Sequence, residues 1–270
     1  MRGTMKTNLR QKKPMPKPAL EIEALDWNTE FLPWFKDAWQ PGQHVAIIAP
    51  TGAGKSVFAK GILSNRRYVL ALDAKGGDST LEGYGYPRLK KWPGHKEMAK
   101  TITANDSENK PSRYVVGNLA RTKADKQKLI ATMKQTLDEA YEMGGFTVYA
   151  DELAILTDPR QFNLRPEVDE MLIAARDRGI SFVGSFQAPT WVTPQAGKQS
   201  TWVAVSYTRD TDVVNRLAEI LGRPKAEIRG AIKGLERYSW IVVGRDPREP
   251  LRVTIPEYDE PKKSSEVENE

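Results

Sequence analysis

The stretch "APTGAGKS", residues 49–56, follows directly on the apolar run "HVAII" and leads into "VFAKGIL". A strand, a glycine-rich turn and a helix in that order leave little freedom in fold or ligand. Gly52 and Gly54 let the backbone turn its N–H groups inward, and the following helix aims its N-terminal dipole at the same point. That arrangement holds phosphate. Ala49, Pro50, Thr51, Gly52, Ala53, Gly54, Lys55, Ser56 and Val57 form the expected cradle. Lys55 has the reach for β- and γ-phosphates, and the Ser56 hydroxyl can ligate Mg²⁺, so the expected ligands are ATP and Mg²⁺. Ala49 stands where such loops usually carry a first glycine, a position that asks for a small residue more than for glycine.

A phosphate loop of this kind needs a sheet behind it, and the sequence supplies one. Near-continuous apolar runs at 44–49, 67–73, 113–117, 146–152, 180–186, 201–207 and 239–244 read as strands buried on both faces. Helical spacing lies between them. Leu129, Ile130, Met133, Leu137, Ala140 and Tyr141 share one face before a stop at Gly144 and Gly145. Val168, Met171, Leu172 and Ala175 share another, with Pro166 at its entry and Gly179 at its exit. Val213, Val214, Leu217, Ile220 and Leu221 form a third that stops at Gly222. Alternating β and α units predict an α/β fold with a mostly parallel sheet and helices on both faces. Residues 79–112, rich in turn formers and lysine, read as an excursion from the sheet edge with one short helix. Trp27, Phe31, Trp34, Phe35 and Trp39 fall at helical intervals and read first as an aromatic packing face, with subunit or adenine contact as alternatives.

The second half of a phosphate site is an acid at the end of a buried strand. "FTVYADE" offers Asp151 to hold Mg²⁺ through water and Glu152 to orient and deprotonate an attacking water. The plainer reading of the pair is a cap on the next segment. Gln187, which ends the run "ISFVGSFQ", would stand beside Glu152 if 180–186 is the neighbouring strand. There its amide could hydrogen-bond the γ-phosphate or the water.

Composition removes other chemistries. The chain of 270 residues has no cysteine and two histidines, His44 and His95, which excludes thiolate catalysis and Cys-built zinc sites and disfavours a His-built one. No apolar stretch is long enough to span a membrane. The net charge is +6 and unevenly placed. Residues 1–22 read as a basic, disordered leader, residues 23–256 as the ordered domain, and residues 257–270 as an acidic, disordered tail. A basic leader can touch nucleic acid or stay solvated. The expected location is the cytoplasm of a bacterium or phage-infected host, or a virion.

"APTGAGKS", "LDAKGGD" (72–78), "VYADE", "AARDRGISFVGSFQAP" (174–189) and "VAVSYTRDTDVVNRLAEILG" (203–222) occur in an order that resembles the FtsK/HerA superfamily of DNA-pumping ATPases, over roughly residues 40–245. The same motifs are similar to those of its conjugative coupling proteins and viral packaging ATPases. The resemblance implies a RecA-like P-loop NTPase fold of the ASCE type. It also implies an oligomeric ring, expected to have six subunits, that hydrolyses ATP to translocate or package double-stranded DNA, with viral or plasmid proteins as partners. By position it implies that Arg176 is offered to a neighbour's nucleotide, with Arg178 as a competitor; both could instead make surface ion pairs. Asp73 and Lys75 fall at the end of the second strand, where sheet ligands cluster. Without a membrane segment, a winged-helix DNA-reading domain or a large N-terminal barrel, the expectation is a bare motor.

Exposed basic residues are the expected DNA contacts: Arg88, Lys90, Lys91 and Lys96 in the irregular insert, and Arg121 and Lys123 before the long helix. Two other classes stay open. An assembly or secretion-type ATPase would act on protein partners without DNA. A small-molecule kinase would need an arginine-rich lid, which the sequence lacks, and Glu152 argues for hydrolysis instead.

Overall fold

A computed structural model describes residues 21–76, 80–187, 194–246 and 249–257. Most of the expected leader and acidic tail lies outside those residues. Ten strands form one sheet: β1 (Ile22–Ala24), β2 (His44–Ile48), β3 (Tyr68–Leu72), β4 (Arg88–Leu89), β5 (Ser112–Val116), β6 (Thr147–Ala150), β7 (Ser181–Phe186), β8 (Ser200–Ser206), β9 (Trp240–Gly244) and β10 (Leu251–Thr254). Their spatial order is β1-β10-β9-β8-β2-β7-β6-β3-β5-β4. The run from β8 to β4 is parallel throughout. Among the described residues, only β9 runs against the common direction of the other strands. All seven apolar runs form strands, and the fold is the expected α/β architecture.

The strands are apolar on both sides because both sides are covered. Along β2, Val45 and Ile47 face one core while Ala46 and Ile48 face the other. This is period-two alternation with no solvent face. On the first side lie α1 (Leu32–Ala38), a preceding π-helical turn (Trp27–Phe31) and α2 (Lys55–Leu63). Four of the five aromatic residues of this segment pack inward: Trp27, Phe31, Phe35 and Trp39 are buried, with the Trp27 and Phe31 rings stacked at 5.0 Å, while Trp34 is half-buried against the same cluster. On the second side lie α4 (His95–Ser107), α5 (Lys123–Met143), α6 (Leu153–Thr157), α7 (Arg165–Ala174), α8 (Pro194–Gln199), α9 (Thr211–Leu221) and α10 (Lys225–Lys233).

Residues 79–112 differ from expectation. They hold a short helix, α3 (Thr80–Gly83), the edge strand β4, and a 13-residue helix, α4, rather than one short helix. α4 buries Met98 and leaves most of its face polar, so it lacks an apolar period that would mark it in sequence.

His44 opens β2 and is wholly buried. Its Nδ1 accepts the N–H of Phe182 at 2.9 Å and its Nε2–H donates to the Leu172 carbonyl at 3.1 Å, so both bonds require the neutral ring. Burial, with Arg176 and Arg245 nearby, pushes its pKa down to about 4. The unfolded chain therefore takes up a proton below the ordinary histidine value that the folded chain refuses. The His44 contribution is complete above about pH 6.5 and fades as pH falls toward 4, about 3 kcal/mol in all. Urea unfolding of wild type and His44→Gln between pH 4.5 and 7 is expected to show the steeper pH dependence in wild type. Parallel curves would remove His44 as the source.

Candidate nucleotide site

The site lies along the edge where the parallel strands end. Gly52 and Gly54 take φ of 78° and 86°, the left-handed region that a side chain resists. Gly54 thus turns the chain directly into α2. The first intrahelical bond in this turn goes from Phe58 N–H to Gly54 O, leaving the earlier N–H groups of Lys55, Ser56 and Val57 pointing out of the helix end. Phe58 stacks on Trp240 at 4.6 Å and fixes the helix to the sheet. Lys55 folds back over the loop, its Nζ donating to the carbonyls of Ala49 and Pro50 at 2.9 and 3.0 Å. Burial pushes the Lys55 ammonium pKa down, against the opposing pull of Glu152 and Asp151.

The strand order brings the other candidates to this loop. β7 lies between β2 and β6, with Ile48 paired to Phe186 and Ala150 paired to Gly184. Gln187, half-buried, therefore emerges between Ala49 and the Asp151–Glu152 pair. Ser56 Oγ donates to Asp151 Oδ1 at 3.2 Å, and Tyr149 OH donates to the same oxygen at 2.5 Å. Tyr149 and Asp151 sit two apart at the end of one strand, where period-two alternation puts both on one face. The tyrosine role was not anticipated, although that spacing carried the signal. A hydroxyl and a carboxylate oxygen side by side fit the hard-oxygen preference of Mg²⁺, which usually takes one or two protein ligands plus phosphates and water.

Glu152 is the residue before α6, and its side chain is 12% exposed. Leu153, fully buried, seats against Gly184, where an added Cβ would lie 2.9 Å from Leu153 Cδ2. A glycine in β7 thus lets the turn carrying Glu152 settle onto the sheet. Lys75 Nζ stands 3.6 Å from Glu152 Oε2. The turn that presents Lys75 is built by Asp73, whose Oδ1 accepts the N–H groups of Lys75 and Gly76 at 3.1 and 2.8 Å. Gly76 has φ 69°, and a Cβ there would lie 2.2 Å from the Asn118 carbonyl oxygen. The stretch Asp73–Gly76 is therefore a device for holding a lysine beside the candidate base.

Arg88 does not belong to an exposed basic loop. It lies in β4 with a 12% exposed side chain, and its guanidinium pairs with Asp73 at 2.9 Å and Glu82 at 2.9 Å. Lys90, Lys91, Lys96, Arg121 and Lys123 are exposed. All but Lys96 follow the ends of β4 and β5, on the same edge as the phosphate loop.

Arg176 and Arg178 lie elsewhere. They occupy a 3₁₀ turn (Ala175–Arg178) that precedes β7, whereas the phosphate site lies beyond its far end. A six-residue strand spans about 20 Å, so neither arginine can reach the phosphates held by its own chain. Arg176 is exposed and donates to the Gln199 carbonyl at 3.3 Å. Arg178 donates to the Glu142 carbonyl at 3.3 Å and lies 4.7 Å from the Tyr141 ring centroid.

No protein-family model matches the chain, and no curated protein matches it. Solved structures share its fold. The genome packaging NTPase B204 from Sulfolobus turreted icosahedral virus 2, in complex with AMPPCP, aligns with a TM-score of 0.54 at 18% identity, covering 80% of this chain and 98% of that one. B204 described as the DNA-packaging ATPase from Sulfolobus turreted icosahedral virus aligns at 0.54 and 20% identity, covering 81% and 100%. VirB4 of Thermoanaerobacter pseudethanolicus aligns at 0.55 and 12% identity, covering 80% and 89%. At these identities the likeness is one of fold. Among the described residues no helix is long and apolar enough to cross a membrane.

Proposed function

We propose that the chain is an ATP-hydrolysing motor that translocates or packages double-stranded DNA. The observation that carries the ATPase reading is the strand order β2-β7-β6, which sets Lys55, Ser56, Asp151, Glu152 and Gln187 around one edge. B204, described as a genome packaging NTPase and as a DNA-packaging ATPase, shares this fold over nearly its whole length and supports the DNA part. The motif order in the sequence supports it further.

In this reading the N–H groups of the loop and Lys55 hold the β- and γ-phosphates. Ser56 and Asp151 would hold Mg²⁺, which would supply positive charge to offset the phosphates, and Tyr149 fixes the Asp151 carboxylate. Glu152 accepts a proton from the water that attacks the γ-phosphorus, the bond from that phosphorus to the β–γ bridging oxygen breaks so that ADP leaves, and Gln187 contacts the water or the phosphate. Lys75 keeps the Glu152 carboxylate oriented. Arg176 serves the nucleotide of an adjacent copy in a ring, for which we take six subunits. Lys90, Lys91, Arg121 and Lys123 face the DNA.

Duplex binding tests the DNA assignment. A motor that grips any backbone it passes is expected to bind with weak sequence preference and to lose affinity steeply between about 50 and 200 mM salt, because phosphate contacts release counterions. Joint Lys90→Glu and Lys91→Glu substitution is expected to weaken binding and flatten the salt slope. Absence of duplex binding at about 50 mM salt would overturn the DNA assignment and favour an assembly ATPase acting on proteins.

A further inference from the structure

We propose that the purine base of the bound nucleotide stacks on Tyr238 in an apolar cavity between the start of β9 and the end of β10. This rests on the nucleotide site described above and assigns a part of it that neither the motifs nor the aromatic segment at 27–39 provides. Trp27, Phe31, Phe35 and Trp39 are buried in the core, and the half-buried Trp34 packs edge-on against Trp202 near the start of β8, on the opposite edge of the sheet, so none of them supplies the base contact.

The sheet topology explains why two distant segments meet here. β9 is the one reversed strand, so its first residues lie on the edge where the parallel strands end. β10 reverses again and therefore ends on that same edge. Tyr238 and the pair Ile255–Pro256 thus flank the phosphate loop from two strands. Together with Gly54, Val57 and Trp240 they line a cavity of about 360 Å³, within the size range of small-ligand sites. The cavity shares Gly54 with the phosphate cradle, and a Cβ on that glycine would lie 3.7 Å from the Tyr238 ring. On its other side Tyr238 borders a depression formed with Pro50, Thr51, Gly52 and Ala53. The ring is therefore a partition between the loop that holds phosphates and the apolar cavity beside it.

Tyr238 is unusual in two further respects. Its φ is +66°, a conformation that costs a bulky L-residue energy and that glycine would adopt freely. Yet Tyr238 on this strained backbone is 43% exposed, and Ile255 across the cavity is 48% exposed. Burial does not repay this arrangement. A flat aromatic ligand placed between the two side chains would cover both, and Trp240, fully buried and stacked on Phe58 of α2, gives the cavity a rigid wall. Arg237, with its guanidinium 4.7 Å from the Tyr238 ring centroid, lines the depression beside the loop rather than the apolar cavity.

The test compares ATP with inorganic triphosphate, which has the phosphates and no base. Both are titrated into the full chain as wild type, Tyr238→Ala and Tyr238→Phe. Tyr238→Ala is expected to weaken ATP about tenfold, the scale of one lost base–aromatic stack, while triphosphate affinity stays unchanged. Tyr238→Phe keeps the ring and is expected to bind ATP like wild type. Unchanged triphosphate binding also shows that the alanine variant is folded. Equal ATP affinity in wild type and Tyr238→Ala would overturn the base site and leave the phosphate loop standing. Equal losses for ATP and triphosphate would overturn it too, by making Tyr238 a support for the loop. A wild type that binds neither ligand would overturn the nucleotide reading itself.

Discussion

Glu152→Gln is expected to bind ATP as wild type does and to hydrolyse it at least about a hundredfold more slowly. The substitution keeps the shape of the side chain and removes its basicity. The surroundings of Glu152 make the experiment clean. Leu153 anchors the turn over Gly184, so the amide should occupy the place of the carboxylate. Lys75 loses a charged partner on an exposed side chain, which costs little in stability. Lys55→Ala is expected to fail earlier, at binding, because the β- and γ-phosphates lose their cation. Wild-type turnover in Glu152→Gln, followed by phosphate release, would remove the glutamate from the mechanism.

Arg176→Ala is expected to bind ATP normally and to lose about 10³-fold or more in turnover, the scale of an arginine finger. Its position is the argument. The 3₁₀ turn that carries it lies at the starting end of β7, about 20 Å from the phosphate edge of the same chain. A guanidinium there can act on phosphate only across a subunit boundary. Mixing Arg176→Ala with Glu152→Gln should therefore restore part of the activity, at interfaces where one chain supplies Glu152 and the next Arg176. A mixed oligomer without rescue would contradict a role in trans. Arg178 lies against Tyr141 and the Glu142 carbonyl, and Arg178→Ala is expected to have the smaller effect. A slow Arg178→Ala beside an active Arg176→Ala would exchange the two roles.

The parts of this account that were legible in sequence are those written in contiguous residues. Each of the seven strands from β9 to β5 in the middle of the sheet is an apolar run because both of its faces are buried. The phosphate cradle is a loop whose contacts are made by its own backbone. β1, β4 and β10 escaped because they lie at or next to the sheet ends and are only partly buried, so they carry no continuous apolar run. α4 escaped because a helix resting lightly on a sheet edge has no apolar stripe to betray it. In the site, what escaped depends on strand order. Nothing in "DAKGG" says that Lys75 meets Glu152; that follows from β3 pairing with β6. Tyr238 reaches the phosphate loop only because β9 runs backwards. Arg88 looked like an exposed cation because its partners, Asp73 and Glu82, are brought to it by the fold rather than by the chain.

The most direct measurement of the central claim is steady-state ATP turnover by the purified 270-residue chain with and without duplex DNA at about 50 mM salt, with Glu152→Gln as the blank. A motor gated by its track is expected to turn over several-fold faster when duplex is present, and the stimulation should fade as salt releases the DNA. Turnover that depends on Glu152 but proceeds at one rate whether or not duplex is added would contradict the DNA motor.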